Sequence, residues 1–420
     1  MRFLVQKFLD WLPQLDYRVW ILIAGRSLSQ LGTGFTLFYA SIFFVNQVGL
    51  SATAVGVGIG SASISGIVGR ILGGTFADSP QWGRRPTLLL SSAISTLAAV
   101  VLSIATTFPL FLLGNLLMGF GVGLYWPSTE AVVADLTQAD QRNEAYALTR
   151  LGDNLGLGLG VVLGGALITL TGAYRALFVV DAISFAIFFV VVYRAIAETR
   201  DPNQPHPPML KGWVRALSDR ILLIYVTVNI LFTTYLSQME SALPLYFTNF
   251  VSRHTEAAGF APGTLTLLFS WYMGLTVVTQ LPIARRLNRF SRPRVLILSA
   301  LAWGIGFILI WVTGTTAMGQ LLWAMAGLGT MAIATAAYTP AASSLVITLA
   351  PDSLRGVYLA VNSLCWALGY FIGPTVGGWA MDQSQAIADG FWVVSALSVV
   401  VAIGILQYLD RLLRRAYPVQ

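Results

Sequence analysis

Twelve long apolar stretches along this 420-residue chain decide what it can fold into. A helix that crosses a membrane needs about 20 mostly apolar residues. Such stretches occupy residues 18–46, 53–77, 86–106, 109–135, 145–171, 175–194, 220–250, 263–286, 293–313, 318–349, 355–381 and 390–410. Only 10% of the residues are charged, whereas a soluble domain carries about 25%. We therefore predict an all-α membrane protein with twelve transmembrane helices.

Charge and cysteine content exclude several functions. The net charge of +7 does not indicate nucleic-acid binding, because the arginines form short clusters between apolar runs and not a continuous patch. The single cysteine, Cys365, lies in an apolar run, and His206 and His254 lie in predicted loops. Metal and thiol sites need partner residues that the sequence lacks. We predict no metal, no cofactor, no nucleic-acid partner and no enzymatic activity.

One long polar connection divides the spans into six and six. Residues 195–219 contain four prolines between Pro202 and Pro208, which prevent a helix there. We predict an N-terminal six-helix bundle at 1–194, a cytoplasmic linker at 195–219 and a C-terminal six-helix bundle at 220–420. Nearly all arginines outside the spans fall on the side of the linker, and the positive-inside rule then places both termini in the cytoplasm.

The two halves repeat each other in sequence. Tyr125-Trp126-Pro127 matches Tyr338-Thr339-Pro340 at an offset of 213 residues. At the same offset Arg142 matches Arg355, and four glycines of the fifth span match four of the eleventh. A shared offset across several features indicates two parallel repeats, with a substrate site expected between them.

A charged strip, 73–86, joins the second and third spans. Asp78, Arg84 and Arg85 do not belong in hydrocarbon, so the strip must be a tight loop at a membrane face. It resembles the signature loop between helices 2 and 3 of the major facilitator superfamily. Ser79 stands where that family has a basic residue, and two extra residues separate Asp78 from Gly83.

Over its whole length the chain resembles a transporter of that superfamily, and within it the twelve-span drug–proton antiporters. Gly369 to Gly378, with Pro374, has the antiporter pattern GxxxGPxxGG, which the family places in helix 5; here Val161 occupies the proline position of helix 5. Asn115 replaces an arginine that the family uses in proton coupling.

The resemblance implies several site residues. Asp78 is expected near Arg355 at the start of helix 11, and Arg84 is expected to pair with Asp135. The implied conformational latch comprises Gly74, Asp78, Gly83, Arg84, Arg85, Asp135 and Arg355. The implied helix-packing motif comprises Gly156, Gly160, Gly164, Gly369, Gly373, Pro374 and Gly377.

Ionisable residues inside a membrane are functional candidates. Five of them share a similar depth in the N-terminal half: Arg26, Arg70, Glu130, Arg150 and Asp153. Since an unpaired charge costs at least about 2.5 kcal/mol there, Arg26 should pair with Glu130 or Asp153. The alternative is a buried ion network that only fixes helix packing, in which Arg150 and Asp153 pair with each other.

The C-terminal half has one acid deep in a span, Glu240, four residues before Pro244. No basic residue of that half lies at its depth, and a desolvated carboxyl without a partner takes up a proton more readily. The alternative is a glutamate that reaches water. The proton-coupling candidates are Glu240, which we favour, Glu130 and Asp153. The substrate-cavity candidates are Arg26, Asn115, Trp126, Arg150, Gln238 and Tyr338.

The resulting functional hypothesis is a secondary active transporter that works by alternating access, with proton-coupled efflux of a small amphiphilic compound. The alternatives are an organic-anion or metabolite carrier, motivated by the surplus of arginines in the N-terminal half, and a membrane substrate sensor without transport. We expect a monomer in the lipid bilayer of a bacterial inner membrane, with a small molecule and the proton as partners.

Overall fold

The computed structural model describes residues 15–79, 81–137, 142–199, 210–251, 259–287, 289–350 and 355–416. Within these ranges the regular structure is helical and no strand occurs. The prediction of an all-α fold is therefore confirmed.

Six long helices make up the first half of the chain. They are α1 Tyr17–Leu37, α2 Ala52–Asp78, α3 Arg84–Ile104, α4 Phe108–Leu136, α5 Arg142–Thr171 and α6 Tyr174–Ala195. A short helical segment, Tyr39–Ile42, and a π-helical turn, Phe43–Gln47, continue α1.

Six further long helices follow. They are α7 Arg220–Glu240, α8 Pro262–Leu287, α9 Arg292–Thr315, α10 Gln320–Leu349, α11 Arg355–Met381 and α12 Gln385–Ala416. A second segment, Ala242–Asn249, extends α7 beyond a break at Ser241.

Ten helical segments in the described ranges are long and apolar enough to cross a membrane. Each of the twelve predicted spans corresponds to a long helix, and α8 and α11 are the two outside this group of ten. The second half of the linker also forms a short helix, Leu210–Leu217, which the sequence analysis did not predict. The proline-rich stretch before it lies outside the described residues.

By their contacts, the described residues fall into two compact units. The first lies within Met1–Leu37, Ile64–Gly164 and Gly172–Pro205, and the second within Phe38–Ser63, Gly165–Thr171 and His206–Gln420. Residues 38–63 and 165–171, which belong to the N-terminal sequence repeat, thus pack with the C-terminal repeat.

Glycines bring α5 against α1 in the first unit. A Cβ atom on Gly156 would collide with the Ser27 carbonyl oxygen, and one on Gly160 would collide with the Leu31 carbonyl oxygen. A Cβ atom on Gly164 would lie 3.0 Å from the Phe35 Cα atom. In hydrocarbon, where helices gain little by hiding apolar surface from one another, such close contact is what holds them together.

The equivalent glycines bring α11 against α7 in the second unit. A Cβ atom on Gly369 would collide with the Thr233 side chain, and one on Gly373 with the Ser237 side chain. The Ser237 hydroxyl also donates to the Gly369 carbonyl oxygen at 3.0 Å. The repeated glycine spacing therefore marks the same helix contact in each half.

We predict that Gly160→Ala destabilises the protein by about 1–3 kcal/mol, since the added methyl group meets backbone atoms that have no room to move. Gly158→Ala is the matched control, because a Cβ atom there has no neighbour within 4 Å among the described residues. The control should be neutral or slightly stabilising, since alanine favours a helix. Thermal unfolding in detergent measures both, and equal melting temperatures for the two variants would contradict the packing account.

Candidate functional site

Arg26 lies in the interior of the first unit, on α1, with 1% of its surface exposed. Its guanidinium donates to Asp153 on α5 through two bonds, Nε to Oδ1 at 3.0 Å and Nη2 to Oδ2 at 2.5 Å. Two parallel charge-assisted bonds of this kind are the strongest arrangement open to an arginine and a carboxylate. The buried charge of α1 is thereby neutralised by α5.

Aromatic rings from α4 complete the surroundings of Arg26. The guanidinium carbon lies 5.1 Å from the Tyr125 ring centroid and 5.3 Å from that of Trp126, within the range of cation–π attraction. Glu130, further along α4, also interacts electrostatically with Arg26. We call Arg26, Tyr125, Trp126, Glu130 and Asp153 the Arg26 cluster.

The expected contact between Arg26 and an acid of its own half is confirmed for Asp153. Glu130 is exposed, and the side chain of Arg150 lies outside those the structure describes. Asn115 is buried and donates from Nδ2 to the Phe111 carbonyl of its own helix at 2.9 Å. The transport roles of all these residues stay predictions.

Glu240 is the last residue of α7 before the break at Ser241. Pro244, four residues on, has no N–H to bond the Glu240 carbonyl, which favours the break. The Tyr370 hydroxyl on α11 donates to Glu240 Oε1 at 3.0 Å. Tyr272 on α8 lies within electrostatic range of Glu240, and its hydroxyl bonds the Thr335 hydroxyl of α10 at 3.1 Å. We call Glu240, Tyr272, Thr335 and Tyr370 the Glu240 cluster.

Two other predicted cavity residues lie in the second unit. Gln238 is buried, and its Oε1 atom has no hydrogen-bond partner among the described residues. Tyr338 is buried as well; its hydroxyl donates to Asn229 Oδ1 at 2.7 Å, and its ring stacks on Phe232 at 4.8 Å. Gln238 thus offers an unused acceptor, whereas Tyr338 has its hydroxyl occupied.

The Tyr338 contact is the counterpart of the Arg26 contact in the other repeat. Tyr125 and Tyr338 are equivalent in sequence, and each lies beside a polar residue of the first helix of its own half, Arg26 or Asn229. Asn229 Nδ2 then donates to Asn362 of α11 at 2.9 Å. The polar contact between the first and fourth helices therefore involves a charged residue, Arg26, in one repeat and neutral residues in the other.

The charged strip before α3 is fixed within the first unit. Gly83 has φ = +87°, a conformation that glycine adopts readily. The Glu198 carboxylate accepts the backbone N–H groups of Arg84 and Arg85 at 3.0 and 3.1 Å, which places a negative charge at the positive end of α3. Sequence analysis did not single out Glu198, because it belongs to the strip only through the fold.

Arg84 forms the ion pair with Asp135 that the family resemblance implied. Arg85 instead donates to the Tyr193 carbonyl oxygen of α6 at 2.7 Å. At Gly74, a Cβ atom would have no neighbour within 4 Å among the described residues. The side chains of Asp78 and Arg355 lie outside those the structure describes, so the latch itself stays a prediction.

Asp181, on α6, is a buried acid that the sequence analysis did not consider. It is 2% exposed, and its Oδ1 atom has no hydrogen-bond partner among the described residues. It faces Gly32 of α1, where an added Cβ atom would lie 2.8 Å from Asp181 Oδ1. An acid in the middle of an apolar run is itself the signal that could have found it.

A family model for the Major Facilitator Superfamily matches residues 22–254 and 250–417. The chain therefore belongs to the Major Facilitator Superfamily, a family of transporters, and forms its two bundles of six transmembrane helices. It is a multi-pass membrane protein.

Among its relatives are proteins called multidrug resistance protein MdtH. The one from Sodalis glossinidius is 28% identical over 354 residues, which cover 83% of this chain and 82% of the relative. The one from Salmonella typhimurium is 25% identical over 371 residues, which cover 88% of each.

Solved structures of two transporters share the fold. The nucleoside transporter NupG superposes with a TM-score of 0.79 at 15% identity and covers 94% of this chain and 99% of its own. A peptide transporter, POT, in complex with sulfate also gives a TM-score of 0.79 at 15% identity and covers 98% of both chains. Identities this low show the fold alone.

We predict that Arg26→Gln and Asp153→Asn each destabilise the protein by about 3–5 kcal/mol, since each leaves the other charge buried without a partner. The double variant Arg26→Gln/Asp153→Asn should lose clearly less stability than the sum of the two single losses. Thermal unfolding of the wild type, the two single variants and the double variant in detergent gives the double-mutant cycle.

The matched control is the Asp16–Arg18 pair, whose side chains are 28% and 33% exposed. Its neutralisation should change stability by no more than about 1 kcal/mol. Additive effects of Arg26→Gln and Asp153→Asn would show that the observed contact carries no energy.

Proposed function

We propose that this protein is a secondary active transporter that exports a small amphiphilic compound in exchange for protons by alternating access. The MdtH relatives, named for multidrug resistance, support efflux of such compounds. The observation that carries the proposal is the Glu240 cluster, in which the carboxyl group at the end of α7 accepts a hydrogen bond from the neutral Tyr370 hydroxyl and lies within electrostatic range of Tyr272.

Proton exchange at Glu240 fits its surroundings better than exchange at Asp153. Both oxygens of Asp153 are bonded to Arg26, and a proton on Asp153 would leave a buried guanidinium without its counter-charge. The Tyr370 hydroxyl, in contrast, is neutral and has capacity to donate or accept. Glu240 can therefore gain or lose a proton without stranding a second charge.

An amphiphilic substrate fits better than an organic anion. The anion hypothesis was based on surplus arginines in the N-terminal half, but the Arg26 charge is matched by Asp153. The rings of Tyr272 and Tyr370 lie near the Glu240 carboxyl group, and Gln238 offers an unused acceptor on another face of the same helix. Apolar walls with a few placed polar groups are typical of small-molecule sites.

Alternating access requires contacts that exist in one state only. Among the described residues of the second unit, three polar contacts join residues 38–63 of the N-terminal repeat to the C-terminal repeat. Asn46 and Asn249 exchange amide hydrogen bonds of 2.9 and 3.0 Å. The hydroxyls of Tyr39 and Thr266 lie 3.0 Å apart.

The third contact is made by Asp382, just after α11. Its carboxylate accepts the backbone N–H groups of Ala52 and Thr53 at 2.7 Å each and the Thr53 hydroxyl at 2.5 Å. A carboxylate at a helix N-terminus meets both the unpaired donors and the positive end of the dipole. We infer that this cap on α2 breaks when the transporter opens at that end.

The proposal places the chain in a bacterial cytoplasmic membrane, with both termini and the linker in the cytoplasm, and has it work as a monomer. The bacterial relatives and the distribution of arginines support this arrangement. The end of the molecule at Asn46, Ala52 and Asp382 is then periplasmic.

We predict that proteoliposomes holding the full chain take up members of a panel of amphiphilic compounds when a pH gradient is imposed. Glu240→Gln, which mimics the protonated form, should reduce this transport to the level of protein-free vesicles and leave substrate binding measurable. Glu240→Asp should keep part of the activity, since it retains the carboxyl group. Transport is measured by fluorescence of the vesicle contents, and substrate binding is measured on the protein in detergent.

The comparison variant is Glu130→Gln, the competing candidate, which should retain gradient-driven transport. If Glu240→Gln retained gradient-driven transport and Glu130→Gln lost it, the proton site would be assigned to Glu130. Binding without movement by the wild-type protein under any gradient would favour the sensor hypothesis, and uptake restricted to anions would favour the organic-anion carrier.

We predict that Asp382→Ala, which removes the capping carboxylate, increases the fraction of molecules open at the end where Ala52 lies. Loss of such a cap costs about 0.5–2 kcal/mol, or roughly a 2- to 30-fold shift in the equilibrium. A cysteine at Ser41, which is 1% exposed, reports the opening through its rate of reaction with a water-soluble maleimide. The buried Cys365 is first replaced by alanine.

Gln383→Ala is the matched control for Asp382→Ala. Within the described residues, the Gln383 side chain donates only to the Trp379 carbonyl oxygen near the end of α11, at 3.3 Å. Equal labelling rates in the two variants would mean that the cap does not hold this end closed.

A further inference from the structure

A cavity of about 470 Å³ lies in the second unit, where the ends of α9, α10 and α12 meet. Its volume falls within the range of small-molecule sites, roughly 300–1,000 Å³. None of its lining residues belongs to the Glu240 cluster, and the proposed transport mechanism makes no use of it. Three arginines, Arg292, Arg294 and Arg414, line it against a single acid, Asp410.

Two of these arginines share the one aspartate. Arg414 Nη2 lies 2.8 Å from Asp410 Oδ2, and Arg294 Nε lies 3.7 Å from the same oxygen. The two arginine side chains remain 51% and 52% exposed, whereas that of Asp410 is 15% exposed. The carboxylate therefore orients both guanidinium groups and leaves the cavity with a net positive charge.

The start of α9 adds a second attraction for anions. The first N–H groups of a helix have no partner within it, and its dipole is positive there. Ser291, the residue in the capping position, makes no capping bond and instead donates its hydroxyl to Asp410 Oδ1 at 3.0 Å. The residue best placed to satisfy those donors is thus used elsewhere.

The position of the cavity identifies the source of the anion. Three membrane-spanning segments end around it: Arg292–Thr315, Gln320–Val346 and Gln385–Arg415. Lipid headgroups lie at the level where such segments meet water. Leu345 and Leu413 supply apolar wall beside the arginines. Basic pockets between transmembrane helices on the cytoplasmic side bind anionic headgroups, and the arginine distribution predicts that side for this end.

We propose that this cavity binds the phosphodiester headgroup of an anionic phospholipid, with Arg294 and Arg414 on the phosphate and the start of α9 beneath it. The site is separate from the substrate pathway and does not depend on which compound is transported.

Native mass spectrometry of the full chain in detergent tests the proposal with phosphatidylglycerol and phosphatidylcholine of identical acyl chains. The wild type should bind phosphatidylglycerol more tightly. The double variant Arg294→Gln/Arg414→Gln should weaken phosphatidylglycerol binding by about tenfold or more, at about 1 kcal/mol per basic residue, and leave phosphatidylcholine binding unchanged. The matched control, Arg289→Gln/Arg411→Gln, removes two exposed arginines near the same end that do not line the cavity.

Equal losses in the two double variants would show a diffuse basic surface and overturn the site, as would no loss in either. Asp410→Asn should tighten phosphatidylglycerol binding, a gain that a misfolded variant would not show, and unchanged or weaker binding would contradict the electrostatic account. Glycerol 3-phosphate and inorganic phosphate at millimolar concentration should not displace the lipid. Displacement by either would assign the cavity to a soluble phosphate and overturn the lipid proposal.

Discussion

A charge in the apolar interior of a membrane protein must be matched, and the pair Arg26–Asp153 meets that condition in the first unit. The two hydrogen bonds join α1 to α5, and the rings of Tyr125 and Trp126 bring α4 to the same point. Removal of either partner leaves the other charge buried and uncompensated. The same pairing is the reason why we propose Glu240, and not Asp153, as the proton site.

The two repeats solve the same packing problem with different polar chemistry. In each, glycines of the fifth helix lie against the first, as Gly160 does on α5 and Gly373 on α11. Where the first repeat has an ion pair, the second has the neutral contact between Asn229 and Tyr338. An amide and a hydroxyl satisfy one another without a charge to neutralise. In the second unit, the Glu240 carboxyl group accepts a hydrogen bond from the neutral Tyr370 hydroxyl, which is why we propose it as the proton site.

The boundaries of the two compact units differ from those of the two sequence repeats. Residues 38–63 belong to the N-terminal sequence repeat, yet Asp382 caps their helix and Asn249 pairs with Asn46. The backbone of Gly56 also lies against the Pro374 carbonyl oxygen. Polar caps of about 0.5–2 kcal/mol are weak enough to be broken during a transport cycle. The close contact at Gly56 adds van der Waals packing but no hydrogen bond that would have to be broken when the two segments separate.

The sequence by itself determined the helices and their repeat, and it identified Arg26, Asp153 and Glu240 as candidate site residues. Apolar runs of membrane length leave few alternatives, and the offset of 213 residues between Tyr125 and Tyr338 reveals the repeat. It also limited the partners of Arg26 to Glu130 or Asp153, because depth and sign are both readable along a helix. Only the tertiary structure chose Asp153, brought Glu198 to the start of α3 and set Asp382 on α2. These three contacts depend on which helices are neighbours and on how each helix is rotated about its own axis. The helical period of 3.6 residues per turn predicts which residues share a face of one helix, but it does not predict which other helix that face meets.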